Sequence, residues 1–421
     1  MNITNNFCLL LLSIGLLAAC GKSAPETPVT PEPSPFPPTP SGSKDTTRIE
    51  SRANCFIVKP GTLAIFAPCK GNSKEDVPAA AARLLWQDDP ALVSSAALKD
   101  GKIEVDILEN KTGNALVCAT DAGGAVLWSW HLWVVPNAFV GDVTVFTSQG
   151  NYTFQDCNLG ALSALARDDS STGLVYQWGR KDPFPGPVYT DATAGQRKIY
   201  NKDGAEIQLT YESLAPGVLN NLATAMAHPE VSYWSTATGG NDGNYSWLTT
   251  KWDDAEMDGV DTLWNNAGHK TLYDPCPEGY KVADTTAWSA VFAQPDTTTL
   301  FNRVYVVSPD ISSGWAPSRR AQFVWQSQFR GVRFGGMDFM AGGYFDHQGR
   351  VKSIPTDKAI HARSWTSTTY TPRTLNYHFG AYAAHVGPDY TNRRGEFKFY
   401  DSSPVVPHKF STLNPVRCRR E

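Results

Sequence analysis

Asp253, Asp254, Glu256 and Asp258, followed by Gly259, place hard oxygen donors on one turn, a chemistry that suits Ca2+. Their spacing differs from the EF-hand loop, and neither the Glu-Pro-Asn nor the Trp-Asn-Asp motif of calcium-dependent sugar-binding lectins occurs. A solvated acidic loop is the alternative. A second constellation lies between Gly314 and Tyr390. It carries Trp315, Trp325, Tyr344, Trp365, Tyr370, Tyr377 and Tyr382 amid glycines, together with Arg330, Arg333, Arg363 and Arg373. Aromatic faces stack on sugars or fill partner pockets, and guanidinium groups donate paired hydrogen bonds to carboxylate or sulfate. The chemistry is recognition of an acidic or sulfated glycan, or of a protein. The alternative is that these aromatics are buried staples. Catalytic patterns are missing. There is no G-x-S-x-G elbow, no H-E-x-x-H and no G-x-x-x-x-G-K-[ST]. Gly21-Lys22-Ser23 lacks the leading glycine of a phosphate loop, and the histidines have no close ligand spacing; His361, His378 and His385 would have to converge in space. No cofactor is expected beyond a structural Ca2+. Paired carboxylates meeting in the fold would open glycoside hydrolysis as the second reading.

Leu17-Ala18-Ala19-Cys20 ends an apolar run that starts at Phe7. The run is short for a bilayer span and has the length of a signal-peptide core. Small residues before a cysteine resemble a bacterial lipobox. The resemblance implies that residues 1–19 are a signal peptide, and that Cys20 is acylated on its thiol and new amine. Met1 to Asn6 carries no Lys or Arg, a departure from the usual basic start. Prolines at 25, 28, 31, 33, 35, 37, 38 and 40 follow, which block helix and ladder pairing. Residues 20–48 are therefore expected to form a lipidated, polyproline-like tether.

The chain has 421 residues, 41% apolar and 19% charged, enough apolar content for a sizeable folded core. A net charge of −4 gives no electrostatic case for nucleic acid. Acids dominate residues 201–300 and Lys and Arg dominate 301–421, read either as an anion-binding surface or as segments that neutralise each other. Beyond Cys8 and Cys20, cysteines stand at 55, 69, 118, 157, 276 and 418, with no C-x-x-C pair. In an oxidising compartment these suit disulfides, whose pairing the sequence alone leaves open.

Residues 49–139 read as a β-sandwich. Ile103, Val105 and Ile107 alternate, as do Ala115 and Val117, and Asp121-Ala122-Gly123-Gly124 is a turn signal. Trp128, Trp130 and Leu132 share one strand face, either as a carbohydrate platform or against the core. Residues 140–421 are rich in Gly, Asn, Asp and Trp. Helical patterns are confined to Tyr211–His228 and Thr285–Phe292, so the whole chain is expected to be α+β, with long loops in this second region.

Four segments here resemble one family. They are Asp156-Cys-Asn-Leu-Gly-Ala161, Tyr176-Gln-Trp-Gly-Arg-Lys-Asp-Pro-Phe184, Asp274-Pro-Cys-Pro-Glu-Gly-Tyr-Lys-Val282 and Val416-Arg-Cys-Arg-Arg420. In this order they are similar to the Fibrobacter succinogenes major paralogous domain of Bacteroidetes surface lipoproteins. Ala341-Gly-Gly-Tyr344 and Ser364-Trp-Thr-Ser367 look like further segments of it. Ala53–Val58 and Leu127–Trp133 resemble the β-domain that often precedes it. The resemblance implies a C-type-lectin-like or formylglycine-generating-enzyme-like mixed α/β module over 140–421. It implies a Cys276–Cys418 disulfide tying that module's two ends. Cys157 stands where the family usually shows Arg, which leaves its partner open; Cys55, Cys69 and Cys118 have room for a bridge within the β-region. The copper-holding cysteine pair of formylglycine-generating enzymes has no counterpart. The function implied is binding rather than catalysis: an outer-membrane, surface-exposed lipoprotein that recognises glycan or protein, or serves a fimbria as a tip or accessory subunit among fimbrial subunits. A surface glycan-processing enzyme is the runner-up.

Overall fold

The computed structural model describes residues 44–421 except 137–138, 148–149, 166–167, 190–193, 236–245, 251–262, 265–267, 293–295, 301–302, 311–317, 323–330, 335–336, 341–342, 353–361, 370–379, 387–395 and 399–404. Strands dominate. The first eight are β1 (Asp45–Ile49), β2 (Cys55–Val58), β3 (Thr62–Phe66), β4 (Ala81–Gln87), β5 (Val93–Lys99), β6 (Lys102–Ile107), β7 (Gly113–Thr120) and β8 (Val126–Val134). They form two sheets. The outer one has the order β1-β3-β6-β5; in the inner one β4, β7, β8 and β2 run side by side, extended past β4 by Ile199–Tyr200 and Glu206–Ile207. The alternating residues explain the pairing. Ile103, Val105 and Ile107 of the outer sheet meet Ala115, Val117, Trp130 and Leu132 of the inner one in a shared core, with the Phe66 and Trp130 rings 5.4 Å apart. The expected turn is present: the Asp121 carboxylate accepts from the N–H groups of Gly123 and Ala125, and Gly124 adopts a φ of 88°, which favours glycine.

Trp128 and Trp130 are buried against this core, so they form no carbohydrate platform. The last residues of the 20–48 segment expected as a tether belong to the fold instead. Asp45–Ile49 pairs in parallel with β3 as β1.

The inner sheet is covered on both faces. Every residue of β7 is buried, as are the last seven of β8. Its second face, with Cys55, Trp86, Leu116 and Trp133, packs into the largest core beside Leu159, Trp178, Trp247, Trp264 and Trp365. Residues 44–421 thus cluster as one compact unit, and no break in packing marks residues 139–140. Past that point, β9 (Asp142–Thr147) and β10 (Gly150–Gln155) pair as a hairpin. Cys418–Arg420 joins β10, and Tyr280–Val282 joins Cys418–Arg420.

The helix expected over Tyr211–His228 is cut to α1, Leu222–Ala227. Pro216-Gly217 interrupts the pattern, and Thr210–Ser213 pairs instead as a strand with Val231–Trp234. The second expected helix forms as α2, Thr285–Phe292. Asp284 ahead of it accepts from the Ala287 N–H at 2.8 Å and from Arg419 at 2.6 Å. Burial pushes the Asp284 carboxyl up, but these bonds overcome it and hold its pKa below the ordinary value. Trp288 fixes α2 on the sheet, its ring 5.1 Å from that of Phe154. Among the described residues no helix is long and apolar enough to cross a membrane.

Cys276 and Cys418 are bonded, with their Cα atoms 5.9 Å apart. Their sequence separation of 142 makes the closed loop long, so the bond restricts the unfolded chain by about 4–5 kcal/mol in the chain-entropy account. Cys55, Cys69, Cys118 and Cys157 are buried free thiols; the bridge allowed for among the first three does not form. Burial raises the pKa of all four thiols, which suppresses the reactive thiolate.

Candidate functional site

The Tyr176–Phe184 segment carries three consecutive charged residues, Arg180-Lys181-Asp182, and all three are buried. Gly179 makes this possible. It adopts a φ of 87°, and a Cβ there would lie 2.7 Å from Leu263 Cδ1. Arg180 then turns inward. Its Nη1 donates to Gln177 Oε1 at 3.0 Å and Val231 O at 2.6 Å, while Nη2 donates to Ala225 O at 2.9 Å, in the last turn of α1. Its guanidinium lies 5.1 Å from the Phe184 ring centre and 5.7 Å from that of Trp247. Burial lowers its pKa to about 10. Lys181 Nζ donates to Asp182 Oδ1 at 2.5 Å and Ser129 Oγ at 2.6 Å, and sits 4.5 Å from the Trp128 ring centre. Ser129 Oγ also donates to Asp182 Oδ1 at 2.6 Å. A Ser–Lys–Asp cluster has the elements of an activated nucleophile. Here the Lys181 and Asp182 side chains are 0% and 1% exposed, so a substrate has no approach. The cluster staples the segment to β8.

The indoles around it act alike. Trp178 Nε1 donates to Thr366 O at 2.8 Å, Trp247 Nε1 to Trp178 O at 2.7 Å, and Trp365 Nε1 to Tyr176 O at 2.7 Å. Trp365, expected on the recognition surface, is therefore a core residue: its ring is fully buried and its one polar atom is committed to backbone.

Two other expected residues do meet. The Arg363 guanidinium stacks on the Tyr344 ring, 3.5 Å from its centre, and both residues are half-buried. Tyr344 begins a hairpin in which Tyr344–Phe345 pairs with Val351–Lys352. Phe345 anchors it in a small core with Val175, Phe184 and Leu413. Asp346 shapes the turn, accepting from the Gln348 and Arg350 N–H groups at 3.0 Å each and from Arg350 Nε at 2.8 Å. Burial pushes the Asp346 carboxyl up, and these donors more than reverse it. At the same turn the His347 ring lies 5.0 Å from that of Trp234, again half-buried. Trp234 and His347 were not among the expected site residues. They come from distant segments, and no local pattern joins them.

Arg333 and Tyr382 lie on strands Gly331–Phe334 and Gly380–Val386, opposite Asp338 and Pro407. Trp315, Trp325, Arg330, Tyr370, Arg373 and Tyr377 lie outside the described residues, as do Cys20 and the acidic turn of Asp253, Asp254, Glu256 and Asp258. His361 and His378 also lie outside them, and His385 pairs with Arg363 across two strands.

The Asp274–Val282 segment builds a third feature. Asp274 accepts from the N–H groups of Cys276 and Val282 at 2.9 Å each, and Lys270 Nζ donates to Asp274, Cys276 O and Tyr280 O. Asn54 Nδ2 donates to Leu272 O and Asp274 O, and Asn72 Nδ2 to Thr271 O, which fastens this loop to the sandwich. Beside the seam opens a polar cleft of about 500 Å³ lined by Glu50, Arg52, Ala53, Asn72, Ser73, Lys74, Lys270, Glu278, Gly279 and Glu421.

No family model, curated protein or solved structure matches this chain. Its chemistry is therefore read from the three arrangements above: a sealed charged staple, a half-exposed aromatic and cationic hairpin, and an open polar cleft.

Proposed function

We propose that this protein is an outer-membrane lipoprotein of the Fibrobacter succinogenes major paralogous type, anchored through Cys20. In this reading it is a surface-exposed binding module with a lectin-like α/β region after residue 140. Its Pro-rich tether carries the folded body, which recognises a glycan or a protein, in a fimbria as a tip or accessory subunit or on its own. The observation that supports the reading is the hairpin. Most aromatic rings among the described residues of this region are sealed in the core, yet Tyr344, Trp234 and His347 remain half-exposed, with Arg363 stacked on Tyr344. A guanidinium held on a ring is pre-oriented for a carboxylate or sulfate, and the rings offer apolar faces to sugar or side chain. A glycan array probed with the full chain tests this. Tyr344→Ala should weaken the best array ligand by about tenfold, the size of an interface hot spot, with an unchanged melting temperature. An array ligand that binds Tyr344→Ala as tightly as the parent chain places recognition elsewhere.

A further inference from the structure

Some charged side chains on this molecule are paired across its surface. Lys111 reaches Asp89 at 3.0 Å, Lys198 reaches Glu206 at 2.7 Å, and Lys70 pairs with Glu75. The seam cleft gathers four exposed charges that are not paired among the described residues. Arg52, Lys74, Glu50 and Glu278 all line it, and among the described residues none of the four makes an ion pair or a side-chain hydrogen bond. Opposite charges share one cavity and yet are held apart.

The walls that hold them are stiff. Asn72 takes a left-handed φ of 58°; its N–H donates to Arg52 O and its side chain to Thr271 O at 2.8 Å. Glu278 and Gly279 stand two and three residues after Cys276 of the disulfide, and Gly279 O accepts from the Glu421 N–H at 3.1 Å. The backbone that carries these charges is thus anchored, so binding has to order only their side chains.

We infer that this cleft binds a short peptide segment bearing both an ammonium and a carboxylate group. A neutral ligand would desolvate both signs of charge and neutralise neither. A polyanion would satisfy Arg52 and Lys74 but meet Glu50 and Glu278, and like charges brought together across an interface are costly. A ligand carrying both signs answers both. No aromatic ring lines the cleft to stack on a sugar, which separates it from the Tyr344 hairpin. Its volume of about 500 Å³ suits a ligand of a few residues. The inference does not rest on the glycan-or-protein reading of the hairpin.

The test is calorimetric titration of the full chain, in neutral detergent, with free tripeptides that each carry one Lys and one Glu, in every order. Acetyl-Ala-Ala-Ala-amide and trigalacturonic acid serve as comparison ligands. At least one tripeptide should bind, and Arg52→Ala and Glu278→Ala should each weaken it about fivefold, as expected for solvent-rimmed ion pairs. Raising salt from about 0.05 M to about 0.5 M should weaken it further. Tyr344→Ala should leave it unchanged. Lys74→Ala is a second cationic probe should Arg52→Ala melt at lower temperature. The inference is overturned if no tripeptide binds, if either comparison ligand binds equally well, or if binding survives all three charge removals.

Discussion

The two faces of the inner sheet are made from the same strands and are held by different physics. Toward the outer sheet, Ala115, Val117, Ala119, Trp130 and Leu132 meet an apolar layer. Toward the rest of the chain, Asn114, Cys118, Ser129 and His131 share the face with Leu116 and Trp133, and Asn114, Ser129 and His131 Nε2 bond specific partners, while His131 Nδ1 has none among the described residues. Asn114 Nδ2 donates to Asp88 Oδ2 at 2.8 Å and Gly160 O at 2.9 Å, which leaves its Oδ1 to accept from His131 Nε2 at 2.9 Å. Ser129 joins Lys181 and Asp182. Apolar burial is non-directional and tolerates repacking. A buried polar layer is costly unless each group is met, so it selects one docking of the C-terminal region.

The largest effect should come from the polar face. Asp182→Ala leaves the Lys181 ammonium buried without its carboxylate, and unfolding in urea should show a loss of about 3–5 kcal/mol. Lys181→Met combined with Asp182→Leu should recover most of that loss, since neither charge is then stranded. A double variant as unstable as Asp182→Ala would mean that the pair supplies net attraction.

On the apolar face, Leu132→Ala should cost about 2–5 kcal/mol, from lost transfer energy plus the residual cavity. Restoring bulk with Leu132→Met should return it to within about 1.5 kcal/mol of the parent. If Met at 132 costs as much as Ala, this face depends on shape as strictly as the polar one.

The smallest effect separates the faces by pH. Burial lowers the His131 pKa to about 3, so the folded state holds a neutral imidazole where the unfolded chain titrates near 6.5. Stability from this group is full above about pH 6.5 and falls as pH drops toward 3, by at most about 1.4 kcal/mol per unit. At pH 5.5 the loss from His131 is about 1.4 kcal/mol. His131→Gln should flatten the acid limb by about one proton in urea unfolding followed against pH, and Leu132→Ala should leave its slope unchanged.

Parts of this arrangement are plain in the sequence. Alternation over Ile103, Val105 and Ile107 requires a strand with one buried face, because side chains on a strand repeat every second residue. Asp121-Ala-Gly-Gly124 requires a turn, and one forms there. Thr285–Phe292 shows a helix that forms at the stated limits. The Cys276–Cys418 pairing was implied by the resemblance of their segments, and the two residues are bonded. Other features were invisible. In Thr210–Ser213, whose partner strand begins at Val231, long-range pairing overrode a local helical pattern.

The site was less legible than the fold. Trp365 and Tyr344 look equally suited to a ligand, yet one is sealed and the other half-exposed. Arg52 and Lys74 carried no signal, because a cleft is a property of two walls and its second wall begins only at Lys270, far along the chain. Local periodicity determined which residues turn inward, since backbone geometry alone sets that period. Only the tertiary structure decided what they turn toward. Whether Lys181 is stapled or Arg52 unpaired depends on chain segments that meet after the backbone has folded, and covering or exposing a charge changes its free energy far more than local preference does.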